Sequence, residues 1–484
     1  MSTNRSIAWN TLVQFIGKAI STFIGVIIIG IMTRYLGTEG FGLYSTANAY
    51  FQVFVLILDF GLNVTLVQML GENTGNTLLE NRLVRATFSL RLISAFFLLT
   101  TAAIIGWFLP YPLLLRLSFF AIWASFFATA LNQIVIGVQQ RHLRMHIVAI
   151  GEVVGRFILL IGILIAQYFN AGLIAIVAFV SLGSVCNFLI NIFVARGYAT
   201  FSFTVDIDMW KRILIRSWPI GISIFFNLIY YKADTLILAH FRSFTEVGLY
   251  GAAYRVLDIL TTMPFMYMGV VLPILSYEWA SKNQARFTSL LQNSYTIMAL
   301  IAAPIIAATL AVSKPIMILV AGSTFAESGP ILNILVFAAG IIFLGTVSSH
   351  AVVALHLQRD MLKYYIIVAI LTLAGYCVFI PKYGVWAAAG LTVFSESCIA
   401  LMTTIATIRR SKISLDYIPI LKILFSALGM FICTNLLAAY PLYISLSAGC
   451  SIYTICILLS GVVSNDSLRE ILAIKKGSNT NIPI

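Results

Sequence analysis

Charge is what this chain of 484 residues has least of: 10% of its residues are Asp, Glu, Lys or Arg, against 60% hydrophobic. No polar stretch between apolar runs exceeds roughly twenty residues, which excludes a separately folded soluble domain. Histidine is scarce, at five, and the six cysteines show no metal-ligand spacing. Neither a metal centre nor a disulfide framework is expected. Cys186, Cys377, Cys398, Cys433, Cys450 and Cys456 all fall in apolar runs, so free, buried thiols are expected. A phosphate-cradling glycine loop ending in Lys-Ser/Thr is also missing; the chain is not expected to hydrolyse ATP, and no cofactor is implied.

What fills the chain is apolar sequence in pieces long enough to cross a bilayer, about 20 residues each. Fourteen such spans lie near 7–33, 43–68, 87–109, 113–138, 147–168, 172–195, 213–238, 249–275, 288–311, 330–354, 364–380, 385–408, 418–440 and 444–462. The stretch 288–354 admits a different division around Lys314 and Pro315. The fold class predicted is therefore an all-α integral membrane protein. The first span follows a basic start as a signal peptide does, but it is too long and lacks a small-residue cleavage site before Arg34, so it is expected to be retained.

An even number of spans puts both ends on one side, and basic residues choose the side. With the N-terminus inside, 21 of the 30 Lys and Arg fall in cytoplasmic segments, among them Arg82, Arg85, Arg91, Arg141 and Arg216. Five, Arg34, Arg116, Arg242, Lys314 and Lys382, fall outside. That asymmetry predicts cytoplasmic termini. The net charge of +13 is thus mostly a topology signal, and nucleic acid is not an expected partner.

An internal repeat is visible. Gly42-Leu43-Tyr44 opens the second span and Gly248-Leu249-Tyr250 opens the eighth, each after an outward loop; Gln140-Arg141 and Gln358-Arg359 form a fainter echo. Equal orientation of the copies implies a parallel repeat with its axis along the membrane normal, the arrangement of two lobes that rock about a cleft. The division expected is an N-lobe at 1–200, a C-lobe at 201–412, two further helices at 413–463 and a cytoplasmic tail at 464–484.

Residues 34–45, Arg-Tyr-Leu-Gly-Thr-Glu-Gly-Phe-Gly-Leu-Tyr-Ser, resemble the first outer loop of bacterial polysaccharide flippases of the Wzx type, in the multidrug/oligosaccharidyl-lipid/polysaccharide exporter superfamily. Fourteen helices in two six-helix lobes plus two is that family's plan too. The resemblance implies a protein of the bacterial inner membrane that is not an enzyme. It would move an undecaprenyl-pyrophosphate-linked oligosaccharide, for O-antigen, capsule or exopolysaccharide, between leaflets by alternating access. Glycan assembly partners are possible companions.

Ionisable groups at mid-membrane cost from about 2.5 to above 10 kcal/mol, so each needs a partner, a wet cavity or a task. Nine stand inside predicted helices: Lys18, Arg156, Lys232 and Arg255, and Asp59, Glu152, Asp234, Asp258 and Glu396. A lipid pyrophosphate with roughly two negative charges requires cations in a low-dielectric cleft. Lys18 and Arg255 suit that need and, by the resemblance, stand where the family's central cavity is cationic; Arg156, Lys232 and Arg34 extend the candidate set. The pairs Glu152/Arg156 and Arg255/Asp258, four and three residues apart, share helix faces and are also able to neutralise themselves. Asp59 and Glu396 lack an opposite charge within four residues, which makes them, with Asp258, Asp234 and Glu152, candidates to couple H+ or Na+; an ion pair from Asp59 or Glu396 to Lys18 or Lys232 across the bundle is the equal alternative. Pro264, Pro304, Gly25 and Gly30 are candidate hinges. Other readings stay open: a peptidoglycan-precursor flippase, a multidrug antiporter, a membrane glycan polymerase or ligase, and a scaffold for glycan assembly.

Overall fold

The computed structural model describes residues 3–462 apart from 74, 143 and 229. Among them every regular element is helical: α1 (Thr3–Asp59), α2 (Leu62–Glu72), α3 (Thr77–Phe108), α4 (Leu113–Arg141), α5 (Met145–Tyr168), α6 (Gly172–Ala195), α7 (Ile207–Leu228), α8 (Tyr230–Phe241), α9 (Phe244–Ala280), α10 (Gln284–Ala321), α11 (Ser328–Ala354), α12 (Gln358–Tyr383), α13 (Val385–Ser411), α14 (Ile418–Leu436) and α15 (Leu442–Ser460). Lipid offers no hydrogen bonds, so an apolar chain satisfies its backbone within each segment, and only the helix does that for a single crossing. Twelve helical stretches are long and apolar enough to span a membrane by composition. The first of them, Ile16–Glu72, holds two of the predicted spans, and α7 with α8 covers the seventh.

Interruptions do not fall at the prolines and glycines proposed as hinges. Helix α1 bends at Gly37, whose φ of 67° is open to a residue without Cβ, between the first two predicted spans. The second span breaks at Phe60 and Gly61, both with positive φ, and α2 restarts at Leu62. Helices α9 and α10 run on through Pro264 and Pro304; the non-helical residue in α10 is Val312. Beside Lys314 and Pro315, where the sequence admits a different division, α10 is kinked at Val312 and then continues to Ala321, with the turn following at Gly322.

The described residues form two compact units. One comprises Met1–Ile259, Met317–Ile331 and Leu362–Ser395. Its core packs α2, α3, α4, α6 and α7 around Leu66, Leu83, Ile134, Val138 and Ile213, and Phe51 stacks on Phe126 at 5.4 Å. The second comprises Leu260–Ile316, Leu332–Met361 and Glu396–Ile484. Phe287, Leu291, Met298, Phe343 and Val347 form its centre. Ala299, Ala303 and Ala307 make an alanine edge of α10 on which α14 and α15 seat Ile423, Met430 and Tyr453, with the Tyr453 hydroxyl donating to the Leu300 carbonyl at 2.8 Å. All six cysteines are free, as expected, yet none is buried: Cys377 and Cys450 are exposed. In a membrane helix an apolar side chain has no reason to turn away from lipid. The expected tail at 464–484 lies outside the described residues.

Candidate functional site

Small residues bring α1 and α5 close enough for their charges to meet. A Cβ on Gly17 would stand 2.5 Å from that of Ala149, and one on Gly25 would stand 2.6 Å from the Arg156 guanidinium. In this seam Lys18 Nζ lies 3.0 Å from Glu152 Oε1. The Ser21 hydroxyl donates to the same oxygen at 2.8 Å and accepts from Arg156 Nε at 2.6 Å; a terminal Arg156 nitrogen is 3.5 Å from that oxygen too. Two cations and a hydroxyl thus converge on one carboxylate oxygen. The group is open on one side: the Lys18 side chain is 41% exposed and that of Arg156 is 37% exposed. Beside it, between α5 and α6, a cavity of about 200 Å³ is lined by Glu152, Arg156, Ser184 and Asn187 along with Gly155 and Gly183. Ser21 carries no charge and stood out in no sequence pattern; its place one turn from Lys18 was the available signal.

A second group forms between α8 and α9. Asp258 Oδ2 lies 3.5 Å from Lys232 Nζ and 3.7 Å from Arg255, and Lys232 Nζ stands 4.5 Å from the centre of the Tyr254 ring. Asp234 is buried by itself nearby in the sequence: the Thr235 backbone N–H and hydroxyl donate to its Oδ1, and the Tyr250 hydroxyl donates to its Oδ2.

Asp59 is held by neither Lys18 nor Lys232. Arg91, fully buried in α3, reaches it at 2.6 Å, donates to the Leu58 carbonyl at 2.7 Å and to Gln133 Oε1 at 3.4 Å. Arg91, read from the sequence as part of a basic run, lies inside the helical packing, satisfying the Leu58 carbonyl beside the break at Phe60. Glu396, on α13, has no hydrogen-bond or ion-pair partner among the described residues. Arg34 stands apart from both clusters of charge: its guanidinium donates to the carbonyls of Gly30, Ile318, Leu319 and Val320, capping the C-terminal end of α10.

The repeated glycines meet each other. A Cβ on Gly42 would overlap the Phe244 carbonyl oxygen, and one on Gly248 would overlap that of Thr38, while Gly42 and Gly248 face each other's backbone nitrogen. The two copies of the motif therefore cross as a symmetric pair, α1 against α9.

Residues 5–279 match the family model described as polysaccharide biosynthesis protein, more than half the chain. The chain belongs to the polysaccharide biosynthesis protein family. Among solved structures, this family member resembles lipid II flippase MurJ in an inward closed conformation, at 14% identity and a TM-score of 0.78, with 95% of this chain and 100% of that chain covered. An inward-facing multidrug resistance MATE transporter of the MOP superfamily follows at 13% identity and 0.66, covering 83% and 98%. A MOP superfamily transporter from Pyrococcus furiosus, described as having reversed polarity in its binding pocket, matches at 14% and 0.61, covering 84% and 95%. Identities this low establish the fold of this family member and leave its cargo to the site. No curated protein sequence matches the chain significantly.

Proposed function

We propose that this protein is a flippase that carries an oligosaccharide linked to undecaprenyl pyrophosphate from the inner to the outer leaflet of the bacterial cytoplasmic membrane, with both termini in the cytoplasm. The observation that carries the reading is the Lys18–Glu152–Arg156 group, two cations sharing one carboxylate oxygen on a half-exposed face of membrane helices. A surplus cation there suits a phosphate, since charge-assisted hydrogen bonds are roughly twice as strong as neutral ones. Lys232 and Arg255, gathered on Asp258, supply a second such place. Arg34, spent on helix carbonyls, contributes by bracing the helix end and not by touching cargo. Membership in a polysaccharide biosynthesis family supports a glycan cargo, and the nearly complete overlap with a lipid II flippase favours a peptidoglycan precursor as the second reading.

Export of two negative charges from a negative interior gains about 5 kcal/mol at 100 mV, so the loaded step needs no ATP. Return of the empty carrier is assigned to an inward H+ or Na+, with Glu396 as the first candidate because it alone of the five carboxylates lacks a partner among the described residues. Complementation of a flippase-null bacterium tests the proposal. At matched membrane levels wild type restores surface glycan, while Lys18→Ala and Arg255→Ala fall at least about tenfold, the loss of one charge-assisted contact. Full rescue by both variants would remove these cations from the mechanism.

A further inference from the structure

The cavity between α5 and α6 offers a kind of chemistry that the neighbouring charges do not use. Among the described residues every polar contact of Glu152, from Lys18, Ser21 and Arg156, ends on Oε1, which leaves Oε2 to accept from elsewhere. Asn187 accepts at Oδ1 from Asn191 Nδ2 at 2.8 Å, which orients its own amide and leaves the Nδ2 donors without a partner among the described residues. Ser184, paired with Ser125 at 2.7 Å, has capacity for a second bond. These three groups and Arg156 line one cavity of about 200 Å³. Its floor is bare backbone: a Cβ on Gly155 would stand 2.7 Å from the Gly183 carbonyl oxygen, and one on Gly183 would stand 2.6 Å from that of Gly155. Leu159 and Val180 supply apolar walls.

We infer that this cavity is a subsite for one sugar ring, the ring that adjoins the phosphate held by Lys18 and Arg156; the inference rests on the flippase reading above. A carboxylate oxygen set against amide donors matches the alternating acceptors and donors of a sugar's hydroxyls, and the aliphatic walls match the ring's C–H face. The volume admits a ring rather than a chain of rings. A polyprenyl tail in the same space would leave Oε2 and the amide unpaired, which costs more than the apolar contact returns. Sharing of Arg156 between the ion cluster and the cavity places the sugar directly against the phosphate.

Binding of two lipids to the full-length protein in nanodiscs tests this: undecaprenyl pyrophosphate alone, and the same lipid bearing a single hexosamine. Wild type is expected to bind the sugar-bearing lipid about tenfold tighter, the value of one or two neutral hydrogen bonds. Asn187→Leu and Val180→Phe should erase that increment while binding the bare lipid as wild type does, which also shows that they fold. Equal affinity of wild type for the two lipids, or an increment that survives both variants, overturns the subsite and leaves the flippase reading in place. Failure of wild type to bind either lipid, or bare-lipid binding untouched by Lys18→Ala, overturns the flippase reading and the subsite with it.

Discussion

Single side chains here are priced by their partners. Arg91 has no exposed surface, and its guanidinium joins Asp59, the Leu58 carbonyl and Gln133 at the break between α1 and α2. Removing one member of a buried pair leaves the other charge stranded, at a cost of about 3 kcal/mol or more. Arg91→Met is therefore expected to lower the thermal midpoint in detergent well below that of the double variant Arg91→Met/Asp59→Asn; equal midpoints would mean that the pair is not what holds the break. Outside the membrane segments the balance is smaller. Asp206 accepts from Arg82 Nε at 2.6 Å, and that bond, with the Met209 N–H, holds its carboxyl below the usual range. A depressed carboxyl stabilises the fold above its ordinary pKa and loses that contribution as pH falls through the lowered value. Asp206→Asn should flatten the acid limb of the stability profile slightly, and less so in high salt, because the Arg82 partner is solvent-exposed.

Among the helices, α1 and α9 approach more closely than any side chain permits. Gly42 and Gly248 each face a carbonyl of the other helix where a Cβ would overlap. Close backbone packing of this kind is how membrane helices gain van der Waals contact when lipid removes the hydrophobic incentive. Gly42→Val or Gly248→Val should force the crossing apart and abolish glycan rescue, while Gly71→Ala, with nothing within 4 Å of its added carbon, should rescue as wild type. Normal rescue by both valine variants would show that the contact is dispensable. The recurrence of Gly-Leu-Tyr was legible in the sequence; that the copies touch each other required the fold, because a repeat tells which residues are equivalent and not which face they turn.

For the molecule as a whole, the proposed cycle separates a loaded step driven by the membrane potential from a return step that needs an ion. Glu396 is the test of the second. Glu396→Gln should leave binding of the bare lipid unchanged but make glycan export insensitive to collapse of the proton or sodium gradient, with a rate reduced about tenfold or more. Export that keeps the wild-type response to both ionophores would move the coupling to another carboxylate. Asp59, the other carboxylate read from the sequence as lacking a neighbour, is unavailable for that task as long as Arg91 holds it.

The chain's own composition determined that it is a bundle of membrane helices, because in lipid the backbone must satisfy itself within the segment and hydropathy reports that directly. It also singled out nine charges standing in apolar runs, since an ionisable residue there is conspicuous in any register, but not the buried Arg91, which follows a basic stretch. Only the tertiary structure decided how those charges combine. Lys18 and Glu152 are 134 positions apart and Arg91 and Asp59 are 32 apart; which of them meet depends on the rotation of each helix about its axis and on where small residues let backbones close. Nothing in the period of an apolar run as uniform as these specifies that angle, so it is left to packing.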